Sequence, residues 1–171
     1  MTVIRDERPE DALHIRRVNE LAFGQRAEAD LVERLRRTCR EGLSLVAEED
    51  GAVVGHILFT PVAVESGTRC VLGMGLAPMA VLPDHQRRGI GSRLVTRGLE
   101  TLRERGCPFV VVVGHPEYYP RFGFEPASRH GLASQWDGIP DAAYMVLILD
   151  AQAMAGVSGV ARYRVEFDEV A

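Results

Sequence analysis

The 171 residues carry 46% hydrophobic and 26% charged side chains and a formal net charge of −4, which fits one ordinary globular domain with a sizeable core. The acidic balance argues against a general nucleic-acid binder, while leaving room for a local basic patch. No apolar run is long enough to span a bilayer, no secretory signal is expected from the charged N-terminus, and the scattered Cys39, Cys70 and Cys107 fit reduced packing thiols in a cytoplasmic protein.

The first stretch, "TVIRDE", reads as a short strand. Pro9 can then open a helix, where its missing N–H does no harm. Leu13, Val18, Leu21 and Ala22 give that helix an apolar side. After Gly24 a second helix is expected, with Leu31, Leu35 and Cys39 at four-residue spacing and a charged outer surface. Two β-rich runs then flank Asp50-Gly51, a hairpin signal. A second turn at 65–68 leads into "CVLGMGLAPMAVLP". Glycine and proline inside that strand predict a bulge, an edge or close approach of another molecule.

Ile90, Leu94, Val95, Leu99 and Leu102 predict a helix from about Gly89 to Arg105, stopped by Gly106 and Pro108. "FVVVV" then reads as a strand buried on both faces, reached through a helical crossover. A loop with a short turn of helix near "PEYYPRF" follows, then "YMVLIL" as a late strand and a less regular tail. The expected fold class is α/β, a mixed, mostly antiparallel sheet with a central parallel βαβ unit, in a single domain 1–171.

The turn between strand and helix, "DHQRRGIGSRLV", carries the chemistry. The first amides of a helix lack internal partners, and the helix start carries partial positive charge. Glycines let backbone approach a ligand, and Arg87 and Arg88 add charge. Such a turn suits a pyrophosphate-type anion. The nucleotide P-loop is excluded because no Gly-Lys-Ser/Thr closes the turn, and the dinucleotide fingerprint is excluded because the third glycine is missing. An ordinary helix start with solvated arginines is the alternative on spacing alone.

The segment Gln86-Arg87-Arg88-Gly89-Ile90-Gly91, after a strand ending "AVLP" and before a later "RFGF", resembles the acyl-coenzyme A signature of the GNAT superfamily of N-acetyltransferases. The "GHPEYYPRFGF" loop is similar to one bacterial branch of that superfamily, and the resemblance covers nearly the whole chain. It implies the acyl-CoA N-acyltransferase fold, with 151–171 as a C-terminal extension. It implies acetyl-CoA as co-substrate, with its pantetheine arm along Met79, Ala80 and Val81. Its pyrophosphate would rest on Gln86, Arg87, Arg88, Gly89, Ile90, Gly91 and Ser92, mostly through main-chain amides. Where relatives carry an asparagine after the parallel strand, this chain has Gly114-His115-Pro116.

Direct transfer from a thioester to an amine needs a base, an oxyanion donor and an acid for the leaving thiolate. The resemblance places that acid at Tyr119, four residues before Gly123, with Tyr118 as its neighbour and fallback. His56, Glu65, His85 and His115 are the candidate bases, and relay through water is the alternative. Glu28 and the other acids of the second helix could attract a cationic amine. No histidine stands at metal-ligand spacing, so no metal is expected. The implied partner is a small-molecule or peptide amine acceptor, with no nucleic acid and no membrane. The tail could cover the core or meet a second copy in a homodimer. A non-catalytic acyl-CoA-binding sensor is the alternative; it would keep the turn and dispense with Tyr119.

Overall fold

The structure, a computed structural model describing residues 1–170, divides into two compact units. Unit 1 comprises Met1–Phe59, Ala77–Glu100 and Glu166–Val170; unit 2 comprises Thr60–Leu76 and Thr101–Val165. Among the described residues, nine strands and three α-helices follow one another as β1 (Thr2–Asp6), α1 (Ala12–Phe23), α2 (Ala27–Thr38), β2 (Leu43–Glu49), β3 (Ala52–Ser66), β4 (Arg69–Val81), α3 (Ile90–Glu104), β5 (Phe109–Val113), β6 (Glu125–Pro126), β7 (Leu132–Ser134), β8 (Tyr144–Ile148) and β9 (Gly159–Arg162). This is the mixed α/β architecture with a parallel βαβ unit that the sequence predicts, β4–α3–β5 being that unit.

In unit 1, β2 pairs antiparallel with both β1 and β3. The turn between β2 and β3 has positive φ at Asp50 (52°) and Gly51 (81°), the signature of a tight hairpin turn. Pro9 lies in a short 3-10 turn, and α1 follows it, burying Ile15, Val18 and Asn19. The left-handed Gly24 ends α1, its N–H donating to the Glu20 carbonyl. In α2 the buried side is Ala29, Leu31, Val32 and Leu35. Cys39 falls outside the helix as its extended C-cap, so the four-residue apolar spacing stops one step earlier than expected. Arg16 of α1 clamps the pair by ion pairs to Glu20, Asp30 and Glu33. Arg5 makes a bidentate pair with the buried Asp11 and a further bond to Glu48.

The Phe59 ring fills the space beside Gly98 of α3, where an added Cβ would stand 2.3 Å from its Cε2. The last residues return to α2, with Phe167 buried, Arg34 paired to Glu169, and the Thr38 hydroxyl donating to Glu166 at 2.6 Å.

In unit 2, β5 lies between β4 and β8, and β8 also pairs with β6. The second half of β3 pairs with β9, which also pairs with β7. Phe109, Val110, Val111 and Val112 are fully buried, as a run without alternation requires. The parallel register covers Met74↔Val110 and Gly75↔Val111.

Glycines 73 and 75 make room for this chain's own side chains. A Cβ at Gly73 would stand 2.6 Å from the Phe109 ring, and one at Gly75 would stand 2.7 Å from Tyr163 Cε2. The close approach expected at these positions is therefore intramolecular. The tail is more ordered than its sequence suggests, because β9 is only four residues long and starts at a glycine with φ 137°.

Candidate active site

The end of β4 and the start of α3 lie together in unit 1. Ala80 is buried, while Met79 and Val81 are half-buried on either side of it. The chain leaves β4 through Leu82, whose N–H donates to the Val54 carbonyl at 2.9 Å, and a 3-10 turn over Pro83–His85 reverses it. Gln86 closes the reversal, its Nε2–H donating back to the Val81 carbonyl at 3.0 Å.

Arg87 and Gly89 both adopt positive φ, 63° and 81°. Alternating handedness over Arg87, Arg88 and Gly89 curls successive amides toward one side, the geometry of an anion-binding nest. The α3 ladder opens with Arg93 N–H donating to the Gly89 carbonyl at 3.1 Å, so the amides of Ile90 and Gly91 lie upstream of that bond. Ile90 anchors the first turn by burying its side chain, while Arg87, Arg88 and Gly89 are exposed.

The arginines differ. The Arg88 guanidinium lies 3.1 Å from Glu49 Oε1, and His85 Nε2 lies 3.8 Å from the same oxygen. The Thr2 hydroxyl and Arg88 together hold the Glu49 carboxyl below its usual range. Arg88 is thus committed to a carboxylate of its own unit, which its position in the motif does not reveal. Beside the first turns of α3, a surface hollow of about 550 Å³ is lined by β1 residues and by Ser92, Arg93, Thr96, Arg97 and Glu100.

Tyr119 lies in unit 2, at the start of a 3-10 turn over Tyr119–Phe122 that ends at the left-handed Gly123. Its ring packs against Gly114, just past the end of β5, where an added Cβ would stand 2.3 Å from Tyr119 Cε2. Tyr118 meets it edge-on at 5.1 Å and Phe124 at 5.7 Å. Burial, with the neighbouring Tyr118, pushes the Tyr119 phenol well above its ordinary value, so it stays protonated at neutral pH. Tyr118 instead lies under the Arg121 guanidinium, 4.5 Å from the ring centre. Gly114, the first residue of the Gly114-His115-Pro116 run after β5, therefore seats Tyr119.

The candidate bases separate by burial. His56 is completely enclosed in unit 1, with Nδ1 3.3 Å from Asn19 Nδ2 and Nε2 2.9 Å from Ser44 Oγ. Asn19 Nδ2 also donates to the Ile15 carbonyl at 3.0 Å. Nδ1 must then accept, Nε2 must carry the proton, and Ser44 must receive it. Burial holds the imidazole pKa down to about 3, so His56 is a neutral core group. The Ser–His–Asn alignment does not activate the serine. Glu65 and His115 are exposed. Glu28, half-buried on α2, accepts from Gln25. Among the described residues no group of three or more His, Cys, Asp or Glu side chains is placed to hold a metal, and no helix is long and apolar enough to cross a membrane.

Residues 3–127 match the family model described as "Acetyltransferase (GNAT) domain". The chain belongs to the GNAT acetyltransferase family. This GNAT chain is 45% identical over 150 residues to the uncharacterized N-acetyltransferase YjhQ of Escherichia coli K12, covering 84% of this chain and 82% of that one. It is 38% identical over 167 residues to the uncharacterized N-acetyltransferase YhbS of the same strain, covering 97% and 98%. The E. coli YhbS crystal structure in complex with CoA superposes with a TM-score of 0.90 at 38% identity, over 98% of this chain and 92% of that one. A GNAT family acetyltransferase from Brucella melitensis in complex with acetyl-CoA gives 0.78 at 36% identity, over 98% and 99%.

Two residues of this GNAT chain escape sequence reasoning. Thr60 and Tyr144 are buried in unit 2, and neither hydroxyl oxygen has a hydrogen-bond partner. A threonine in a strand and a tyrosine at a strand start carry no local signal of that kind. Only the packing around them exposes it.

Proposed function

We propose that the chain is an N-acetyltransferase that takes the acetyl group of acetyl-CoA and delivers it directly to a primary amine of a small molecule or peptide. The observation that carries this reading is the nest at Arg87 to Gly89, opening straight into α3 after a strand that ends at Val81. Main-chain amides from Arg87 to Ser92 would hold the pyrophosphate, and the backbone of Met79, Ala80 and Val81 would pair with the pantetheine arm. The CoA and acetyl-CoA complexes of the two similar structures support this assignment. Gln86 supports the turn by closing it onto Val81. With Arg88 held by Glu49, Arg87 is the arginine left for the phosphates.

In the reaction the amine nitrogen attacks the thioester carbonyl, and the C–S bond breaks as the tetrahedral intermediate collapses. Tyr119 gives its proton to the departing sulfur, and a proton leaves the acetylated nitrogen to solvent. Burial keeps the Tyr119 phenol protonated at neutral pH, so a proton is in place when the thiolate departs. His56 is not the base, because it is enclosed and its lone pair is occupied by Asn19. Relay through water replaces it. Residues 1–171 would act as one domain in the cytoplasm.

The test is release of CoA thiol from acetyl-CoA across a panel of primary amines, for wild type and Tyr119→Phe. Amine-dependent release that falls on the order of a hundredfold in the variant, with acetyl-CoA binding retained, fits the loss of a general acid. Tight acetyl-CoA binding without turnover on any amine would point instead to an acyl-CoA sensor.

A further inference from the structure

A carboxylate beside an anion site needs a reason to be there, because it repels the ligand the site would hold. Glu49, the last residue of β2, stands against the phosphate turn. Thr2 and Glu49 face each other across β1 and β2, and the Thr2 hydroxyl donates to Glu49 Oε2 at 2.7 Å. That bond fixes the carboxylate and leaves Oε1 to the turn, where Arg88 Nη2 lies at 3.1 Å and His85 Nε2 at 3.8 Å. The Glu49 side chain is 15% exposed, so water screens the pair less than it would in the open.

Two anions compete for Arg88. The residue itself lies inside the nest, between the positive-φ Arg87 and Gly89. Its flexible side chain therefore springs from the same backbone that would hold the pyrophosphate. The guanidinium is drawn instead to the end of β2. A guanidinium and a carboxylate at that distance present little net charge to a third group. The pair withholds one positive charge from an anion on the nest and leaves the main-chain amides and Arg87 to bind it. CoA carries the acetyl group before transfer and is the product after it. A turn that held it with every available charge would release it slowly.

We infer that Glu49 sets how tightly the turn holds CoA: by claiming the Arg88 guanidinium it weakens the hold on the pyrophosphate and speeds release of the product. This rests on the acetyl-CoA reading above. Glu49 is a positioning residue that acts through Arg88 and takes no part in the proton transfers.

Glu49→Gln keeps an acceptor for the Thr2 hydroxyl and removes the charge. Calorimetric titration with CoA should show the Kd falling roughly fivefold, the size of one screened charge-assisted contact, with the dissociation rate slowed to match. In an Arg88→Ala background the same substitution should change the Kd by less than about twofold. Equal tightening in both backgrounds would show the carboxylate repelling CoA directly. Unchanged or weaker binding in the single variant would make Glu49 a strut of the turn. Either result overturns the inference. If Glu49→Gln melts below the assay temperature, Thr2→Val takes its place, since it unpins the carboxylate without removing it. Binding about twofold tighter or more supports the inference, and no tightening overturns it. These outcomes leave the acetyl-CoA reading standing, whereas wild type that binds no CoA would overturn that reading and the inference together.

Discussion

The Tyr119 ring occupies the space that a side chain at position 114 would need: a Cβ added to Gly114 would lie 2.3 Å from Tyr119 Cε2 and 2.8 Å from Cδ2. The proposed acid is therefore placed by a glycine five residues before it, at the end of the parallel strand. Gly114→Ala should push the ring away and lower kcat on the order of tenfold or more, while acetyl-CoA binding stays near wild type. Steady-state kinetics beside calorimetric titration with CoA checks this. Unchanged kcat would detach Tyr119 from the chemistry.

The turn makes a second prediction. Gly89 has φ 81°, and nothing crowds its missing side chain, so a substitution there acts through backbone strain and not through a clash. Gly89→Val should weaken CoA binding on the order of tenfold or more, whereas Arg88→Ala should cost about threefold or less, because Arg88 is paired with Glu49. Titration of both variants with CoA decides. A far larger loss in the arginine variant would mean that side-chain charge, and not the backbone, holds the phosphates.

His56 supplies a stability prediction with a definite sign. Its pKa is lowered to about 3 in the folded protein from 6.5, so the unfolded chain binds a proton that the folded one refuses. The stabilisation is whole above pH 6.5 and is lost as pH falls from there toward 3. Between pH 6.5 and 5 the loss attributable to this residue is about 2 kcal/mol. Urea unfolding of wild type and His56→Gln at those two pH values isolates it. The variant should be less stable at pH 6.5 but lose less on acidification to pH 5.

Gly98 supports the helix that carries the turn. With Phe59 Cε2 only 2.3 Å from its missing Cβ, Gly98→Ala should destabilise the protein by about 1–3 kcal/mol despite the better helix propensity of alanine. A denaturant midpoint at or above wild type would show that Phe59 can move aside at little cost.

How much of this was legible beforehand follows from the range of the interactions involved. Alternating apolar residues, the Asp50-Gly51 turn, the apolar side of α3 and the uninterrupted "FVVVV" run are local patterns. They fixed the order of elements, the parallel unit and the position of the glycine turn, because backbone geometry ties periodicity directly to structure. The same local grammar, with its likeness to one family, proposed an anion site at 86–92 and nominated Tyr119. The short strands β6, β7 and β9 were not legible, since two to four residues hold no period and form only through their partners.

The tertiary structure decided whatever depends on residues far apart in the chain. It enclosed His56 between Asn19 and Ser44 and so removed it from the list of bases. It gave Arg88 to Glu49, 39 residues away, filled the bare backbone of Gly73 and Gly75 with Phe109 and Tyr163, and left the hydroxyls of Thr60 and Tyr144 buried without a hydrogen-bond partner. A histidine, an arginine or a tyrosine reads the same in sequence whether it is solvated, paired or enclosed. Desolvation and long-range pairing set its chemistry, and both are properties of the packed chain.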